Sequence, residues 1–274
     1  MLTAQTAANG VVFYQSPLLI AAGAAHGFST RIGGISHSPF DSLNLGNPNG
    51  CAIQDLPSHI QENYARFAAA TGVGSRPILR VYQIHGPAVA RVVPGKHFDF
   101  DQKADAIVTA DSTRCVSVRI ADCIPILISA PGASAVAAVH AGWRGIVSNV
   151  VASAVAALLE MAPKGTSPAS LLAAIGPCIG PTRFEVGPEV LDEFAAVFGP
   201  SAPIVRRPDG KGLVDLPTAA HRQLLACGLH PDRIDTTDRC THTHRDEFFS
   251  HRRDNGVTGR MAALIAPAAD AAGH

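Results

Sequence analysis

The chain has 274 residues, enough for one large domain or two small ones with a substantial core. Its 22 Lys and Arg residues balance its 22 Asp and Glu residues, so no net charge attracts nucleic acid or an anionic membrane. We therefore expect neither as a partner, and no motif indicates an obligate protein partner. Because the first residues lack a signal peptide's basic segment and the apolar run LLIAAGAA is too short to span a bilayer, we expect a cytoplasmic protein.

The N-terminal third combines turn signals with two predicted elements. The stretch STRIGGISHSPFDSLNLGNPNG, which ends at Gly50, is rich in Gly, Pro, Ser and Asn and predicts a shaped surface loop. A helix is predicted from Ser58 to about Thr71, with Ser58 as its N-cap and Gly72 as its end. The run ILRVYQIHG then predicts a strand that ends at His85.

Strands dominate the middle of the chain, and helices the remainder. The runs ADAIVTA, CVSVRI, IPILIS, SAVAAVH and LLAAIG each predict a strand. Helices are predicted over Ile146–Met161, Pro188–Phe198 and Asp215–Cys227, and two more strands lie near Ile234 and over Met261–Ile265. Since the elements interleave without strict βαβ alternation, we expect a single α+β domain over residues 1–274, with a core of packed mixed β-sheets flanked by helices.

Three residues with metal-binding side chains lie at or beside the ends of apolar strands: His85, Cys123 and His140. A thiolate and imidazoles suit zinc, or copper, and three protein ligands leave a position open as in catalytic sites. Glycines at 142 and 145 follow His140 and permit a sharp turn before a helix, a position at which α/β-type proteins often place their chemistry. We therefore expect an enzyme with these three as catalytic residues and metal ligands. The alternative is two hydrogen-bonded histidines beside a buried thiol.

A second group of possible ligands occurs in the C-terminal run RCTHTHRDEFFSHRRD. Cys240, His242, His244 and His251 could bind a metal, but the arginines between them suit an anion better. A solvated, charged loop is the alternative. Because the six cysteines form no CxxC pair, we expect reduced thiols, and Cys178 in IGPCIG is either a functional thiol or part of a structural turn.

Ten ordered motifs cover nearly the whole chain: STRIGGISHSPFDSLNLG, QIHG, DAIVT, ADCIPILI, AVHAGWRG, IGPCIG, FEVG, CTHTH, FFSHRRD and TGRMAALI. Together they closely resemble the laccase-domain purine nucleoside phosphorylases, a family also called multicopper polyphenol oxidases. The resemblance implies that His85, Cys123 and His140 hold a zinc ion. It also implies phosphorolysis of adenosine, inosine, guanosine and methylthioadenosine, and deamination of adenosine at the same site.

The resemblance also narrows the search for substrate contacts. Phosphorolysis requires cationic or amide donors for phosphate, and we expect Arg31 and Arg144 to supply them, with Asn44 as a polar substrate contact. The alternative for each is a role in stabilising a turn. The chain departs from the family pattern at Pro217 and His221, where a tryptophan and an asparagine are common, and at 251, where histidine replaces the usual tyrosine after FFS.

Three other functions remain open from the sequence. A cysteine hydrolase would use Cys123 as nucleophile and His140 as base, for example as an amidase in peptidoglycan editing. A copper polyphenol oxidase would need several H-x-H pairs, whereas the chain has only His242 and His244 in such a pair. A binding module without enzymatic activity is the third alternative.

Overall fold

Fifteen strands and six α-helices form the regular structure of residues 1–269, the part of the chain that the computed structural model describes. The predicted domain extends to residue 274, so its last five positions lie outside the described residues. The strands are β1 (Thr3–Thr6), β2 (Val12–Gln15), β3 (Ala25–Ser29), β4 (Ile78–Leu79), β5 (Val89–Val92), β6 (Ala106–Thr109), β7 (Cys115–Ile120), β8 (Ile124–Ser129), β9 (Val136–Ala141), β10 (Leu172–Ile175), β11 (Glu185–Val186), β12 (Ile204–Arg206), β13 (Gly212–Val214), β14 (Ile234–Asp235) and β15 (Met261–Ala266). The helices are α1 (Pro17–Ala21), α2 (Pro57–Ala70), α3 (Trp143–Val147), α4 (Val150–Met161), α5 (Pro188–Phe198) and α6 (Leu216–Ala226).

The strands assemble into two six-stranded sheets and one small sheet. The strand order is β1-β2-β3-β15-β7-β4 in the first sheet, β14-β10-β8-β9-β6-β5 in the second and β11-β13-β12 in the third. Most neighbours are antiparallel, but β4 and β7, β5 and β6, and β10 and β14 are parallel, so both large sheets are mixed. Strands β7 and β15 of the first sheet pack against β9 and β8 of the second, and their apolar side chains form the central core.

Helices cover the outer faces of both large sheets. Helices α4 and α6 pack against the second sheet, and Phe67 of α2 packs against Phe13 of the first sheet with ring centroids 6.3 Å apart. This arrangement confirms the predicted α+β fold. Within residues 1–269, no helix combines the length and the apolar character that crossing a membrane requires.

The N-terminal region is more ordered than the sequence predicts. Strands β1 to β3 and helix α1 precede the predicted loop, and the loop itself is partly core because Leu43 and Leu45 are fully buried. The amide of Leu43 donates to the carbonyl of Arg31 at 2.8 Å, and the amide of Leu45 donates to that of Arg260 at 2.9 Å. Since its backbone groups find partners, the segment can enter the core without regular structure, and the surface-loop prediction is wrong there.

Two helix predictions also need correction, one at its N-terminal end and one in its interior. Helix α2 begins at Pro57 after Leu56, which makes no side-chain capping bond, so Ser58 is not the N-cap; proline's fixed φ favours the first helical turn instead. The helix predicted over Ile146–Met161 is two helices, α3 and α4, separated at Asn149, whose φ of 61° is left-handed. The predictions for α5 and α6 are confirmed, and Asp215 caps α6 by accepting the Thr218 amide.

The buried imidazole of His26 links β3 to the start of α1. Its Nδ1 lies 2.9 Å from the carbonyl oxygen of Ala24, and its Nε2 accepts the Ser16 amide at 2.9 Å, so the proton resides on Nδ1. Burial lowers the pKa of His26 to about 4, although the Ala24 carbonyl and the charge of Asp235 oppose this shift. The folded chain therefore keeps His26 neutral at pH values at which the unfolded chain protonates it.

This difference in pKa predicts a loss of stability in mild acid. Above the unfolded pKa of 6.5 the contribution of His26 is complete, and it falls by about 3 kcal/mol as the pH drops from 6.5 towards 4. The variant His26→Gln retains an amide donor and acceptor but does not titrate, so its free energy of unfolding should depend less on pH in this range. Urea unfolding of both proteins across the range measures the difference, and equal pH slopes would contradict the assignment.

Candidate metal centre and active site

The cysteine of the predicted site lies in a turn, and one histidine lies on a nearby strand. Cys123 is the last residue of the tight turn between β7 and β8, and His140 lies in β9, opposite Pro125 of β8 in the antiparallel ladder. The turn places Asp122 at a left-handed φ of 90°, with its carboxylate accepting the Thr241 hydroxyl and the Arg252 amide, both at 2.7 Å. These bonds hold the residue before Cys123, and with it the thiol, at the edge of the second sheet.

His85 reaches the same point from a turn rather than from a strand. The predicted strand ILRVYQIHG is regular only at Ile78–Leu79, and His85 has a left-handed φ of 60°. The carboxylate of Asp105 accepts the backbone amides of Ile84, His85 and Gly86 at 3.1, 2.9 and 2.7 Å. One buried carboxylate therefore stabilises the turn that positions His85.

The three side chains form a compact group of ligands. The potential ligand atoms of His85, Cys123 and His140 lie within 4.8 Å of one another, and the two imidazole rings are 4.9 Å apart at an angle of 80°. The Nδ1 of His140 lies 2.7 Å from Oδ1 of Asp105, which leaves its Nε2 free to bind. A carboxylate behind a ligating imidazole is typical of metal centres, so the donor set and its support fit a metal ion.

A close approach at Gly142 keeps this group accessible to a ligand. A Cβ atom at this position would lie 2.9 Å from Cδ2 of His85 and 3.1 Å from Sγ of Cys123. Any larger residue would push the histidine and the cysteine apart or fill the space between them. The glycine of the HAGWRG turn is therefore required by the geometry of the ligands.

Electrostatic coupling favours the charged forms of the two buried partners. Burial raises the pKa of the Cys123 thiol, but His140 and His85 outweigh burial and hold that pKa below its ordinary value. Burial lowers the pKa of His140, whereas Cys123 and Asp105 together raise it above its ordinary value. Cys123 is therefore prepared to act as a thiolate, the form that binds metals and attacks electrophiles.

Two cavities meet at this group and differ in chemistry. The first, of about 300 Å³, is polar: Arg119, Arg260, Asn47 and Asn49 line it. Burial and the nearby charge of Arg119 lower the pKa of Arg260, and neither guanidinium forms an ion pair within residues 1–269. We refer to it as the arginine cavity. Two adjacent cations without a carboxylate partner favour binding of an anion.

The second cavity, of about 160 Å³, is largely aromatic and apolar, and we refer to it as the aromatic cavity. Trp143, Phe184 and Leu216 line it, and Arg144 stacks over Trp143 at 4.2 Å from the ring centroid. His251 borders both cavities, as do His85 and Cys123. The His-Cys-His group therefore lies between a wall with two unpaired arginines and a wall that suits a planar, apolar group.

The structure brings only some of the predicted substrate contacts to this site. Arg144 lines the aromatic cavity, whereas Arg31 lies at a separate surface cavity, pairs with Asp41 at 3.1 Å and stacks over Phe249. Asn44 is fully buried, and its Oδ1 accepts the Arg260 amide at 2.8 Å, so it positions the chain near the site without lining either cavity. No sequence pattern singled out three residues that the structure places at this site: Asp105, Arg119 and Arg260.

The C-terminal group of cysteine and histidines does not assemble. Among the described residues, His85, Cys123 and His140 are the one group of at least three ligands close enough to hold a metal. Cys240 is buried, where its Sγ accepts the Gly180 amide at 3.1 Å, and it pairs through the backbone with Cys178, which is also buried. These two thiols are structural in this arrangement, while His251 belongs to the cavities described above.

Comparisons with known proteins agree with this architecture. A sequence model of the family described as multi-copper polyphenol oxidoreductase laccase matches residues 25–268. The purine nucleoside phosphorylase YfiH of Escherichia coli (strain K12) is 38% identical over 237 residues, which cover 86% of this chain and 91% of the relative. The purine nucleoside phosphorylase YlmD of Geobacillus stearothermophilus is 33% identical over 253 residues, covering 89% of this chain and 90% of that protein.

Solved structures show the same fold over nearly the full length. The crystal structure of YlmD from Geobacillus stearothermophilus has a TM-score of 0.84 and 32% identity, and the match covers 97% of this chain and 99% of that one. The hypothetical protein YfiH of Bacillus licheniformis has a TM-score of 0.83 and 28% identity, with 96% and 98% covered. On sequence and on fold, the chain belongs to the multi-copper polyphenol oxidoreductase laccase family.

Proposed function

We propose that this protein is a cytoplasmic purine nucleoside phosphorylase that holds one zinc ion at His85, Cys123 and His140 and also deaminates adenosine. Adenosine, inosine, guanosine and methylthioadenosine are the proposed substrates, with phosphate as the second reactant. The observation that carries the proposal is the position of the His-Cys-His group between an arginine cavity and an aromatic cavity. The names of the relatives YfiH and YlmD support the same reaction.

The donor set favours zinc over other metals. One thiolate and two imidazoles match the ligand preference of zinc, and three protein ligands leave a position open for catalysis. Copper also accepts thiolate and imidazole, so it is the alternative metal. When bound, zinc would supply Lewis-acid chemistry for deamination. Asp105 orients His140 by accepting from its Nδ1, which keeps Nε2 directed to the ion.

The two cavities provide the groups that phosphorolysis requires. In this reaction an oxygen of phosphate attacks the sugar carbon while the bond to the purine breaks, and the purine nitrogen takes up a proton. Arg119 and Arg260 would bind the phosphate, because both guanidinium groups line one cavity without a carboxylate partner. Trp143 would bind the purine by stacking. His251 borders both cavities and can supply the proton to the leaving base.

A cysteine hydrolase is the second candidate function, and the lowered pKa of Cys123 favours it. A thiolate beside a protonated imidazole is the arrangement that activates a cysteine nucleophile. In such an enzyme, the pair would act without a stoichiometric metal. Metal content and the nucleoside products therefore distinguish the two functions.

The first prediction concerns the metal. The purified protein should contain about one zinc per chain, since the three side chains would hold one ion and leave a coordination position open. The variant Cys123→Ala should lose most of this zinc and still unfold cooperatively, because Cys123 lies at the edge of a cavity. The matched control Cys227→Ala removes a thiol at the end of α6 and should retain the metal. Elemental analysis gives the result, and full zinc content in Cys123→Ala would refute the ligand assignment.

The second prediction concerns the products. With phosphate present, the zinc-loaded protein should convert adenosine to adenine and ribose 1-phosphate, and a parallel route should yield inosine. Omitting phosphate should abolish adenine formation but not deamination, because phosphate is a reactant only in the first reaction. Chromatography of the products measures both. If neither adenine nor inosine forms, the phosphorylase proposal fails and the cysteine hydrolase becomes the leading candidate.

The third prediction separates two assignments of the phosphate site. Loss of a charge-assisted bond in Arg119→Gln or Arg260→Gln should lower phosphorolytic efficiency about 10- to 150-fold and affect deamination much less. The matched variant Arg31→Ala tests the sequence-based expectation, since Arg31 pairs with Asp41 away from both cavities. The ratio of adenine to inosine is the measurement. A selective loss of phosphorolysis in Arg31→Ala alone would restore Arg31 as the phosphate ligand.

A further inference from the structure

A groove of about 660 Å³ along α2 is separate from the metal-binding group. We refer to it as the α2 groove; Ile60, Gln61 and Tyr64 of α2 line it together with Arg76, Arg80 and Arg119. None of the three metal-binding residues lines it, although Arg119 and Asn47 line both this groove and the arginine cavity. The groove has the volume of a pocket for a small organic molecule.

The charge of the groove is positive and uncompensated. Three arginines line it, and no aspartate or glutamate does. The ion pairs within residues 1–269 involve neither Arg76 nor Arg80 nor Arg119. The three side chains are partly exposed, so their positive charge is available to an anion from solution.

One of these guanidinium groups also has an unused donor. The Nη1 atom of Arg76 is buried and has no hydrogen-bond partner within residues 1–269. Leaving a buried donor without a partner is energetically unfavourable, and more so for a charged group. Arg80 is held in position by stacking over Tyr64, at 4.7 Å from the ring centroid. A ligand with acceptor oxygens in the groove would lie beside the Arg76 side chain and meet a second, already oriented cation.

The rest of the groove is apolar. Ile60, Ala65 and Ala68 of α2 and Ile78 of β4 line it beside the arginines. An inorganic ion would leave this surface uncovered, whereas an organic anion would remove apolar area from water, which favours binding. The combination of cations and an apolar wall therefore favours a ligand that has both an anionic group and an apolar part.

We propose that the α2 groove binds a small organic anion, with its phosphate or carboxylate group against Arg76 and Arg80 and its apolar part along α2. This site is additional to the arginine cavity and does not require the metal. Its function therefore does not depend on whether the protein is a phosphorylase.

Isothermal titration with three naphthalene compounds tests the chemistry of the ligand. We expect the protein as purified to bind 1-naphthyl phosphate or 1-naphthoate at one site and to bind the neutral 1-naphthol at least about tenfold more weakly. The tighter of the two anions identifies phosphate or carboxylate as the preferred group. Equal affinity for the anions and for 1-naphthol, or no binding of either anion below about 10 mM, would overturn the proposal.

Variants locate the binding in the groove. Arg80→Gln should weaken binding of the preferred anion about tenfold or more by removing a charge-assisted contact. Gln61→Glu places a carboxylate at an exposed position of α2 in the groove, which should not disturb the fold. It should weaken binding of the two anions but not of 1-naphthol. The control Arg66→Gln removes a cation from the same helix outside the groove, and it should bind the preferred anion with unchanged affinity.

A last comparison separates the groove from the arginine cavity. Arg260 lines only the arginine cavity of the two, so Arg260→Gln should leave binding of the naphthalene anions unchanged. If Arg260→Gln abolishes binding while Arg80→Gln and Gln61→Glu do not, the anion occupies the arginine cavity and the α2 groove is not a ligand site. The thermal midpoint of each variant, measured alongside, confirms that the compared proteins are folded.

Discussion

The carboxylate of Asp105 positions both histidines of the site. It accepts from Nδ1 of His140 at 2.7 Å and from three successive backbone amides of the turn that carries His85. Burial raises the pKa of Asp105, but His140 and these amides lower it below its ordinary value, so the group stays ionised. Without this carboxylate, the ring of His140 would lose the acceptor that orients it, and the turn that carries His85 would lose three backbone hydrogen bonds.

The remaining ligand depends on a second carboxylate in a comparable way. Asp122 binds the Thr241 hydroxyl and the Arg252 amide, and its carbonyl accepts the Ile179 amide at 2.9 Å. These bonds draw three distant segments around Cys123, and one of them carries His251 to the boundary of both cavities. The left-handed φ of Asp122 is thus part of how the cavities are built.

Local patterns pointed to the three side chains that the structure brings together, but not to the residues that support them. His85, Cys123 and His140 stood out because soft ligands beside strand ends and glycines are visible in a sequence, and the structure places them within 4.8 Å. Helices α5 and α6 were predictable from their caps and periodicity. Arg119 was not, because it lies inside an apolar strand pattern and only the folded chain places it in one cavity with Arg260. Arg31 had the more conspicuous glycine context but is paired with Asp41.

The sequence by itself determined the fold class, most elements from residue 57 onward, the family resemblance and the three side chains proposed as metal ligands. These follow from periodicity, turn residues and side-chain chemistry, which act over a few neighbouring positions. Only the tertiary structure decided that the loop around Leu43 is core, that Asp105 supports two histidines and that Arg119 and Arg260 share a cavity. Those features arise from contacts between segments 20 to more than 200 positions apart, and burial and charge pairing at such contacts have no local pattern in the chain.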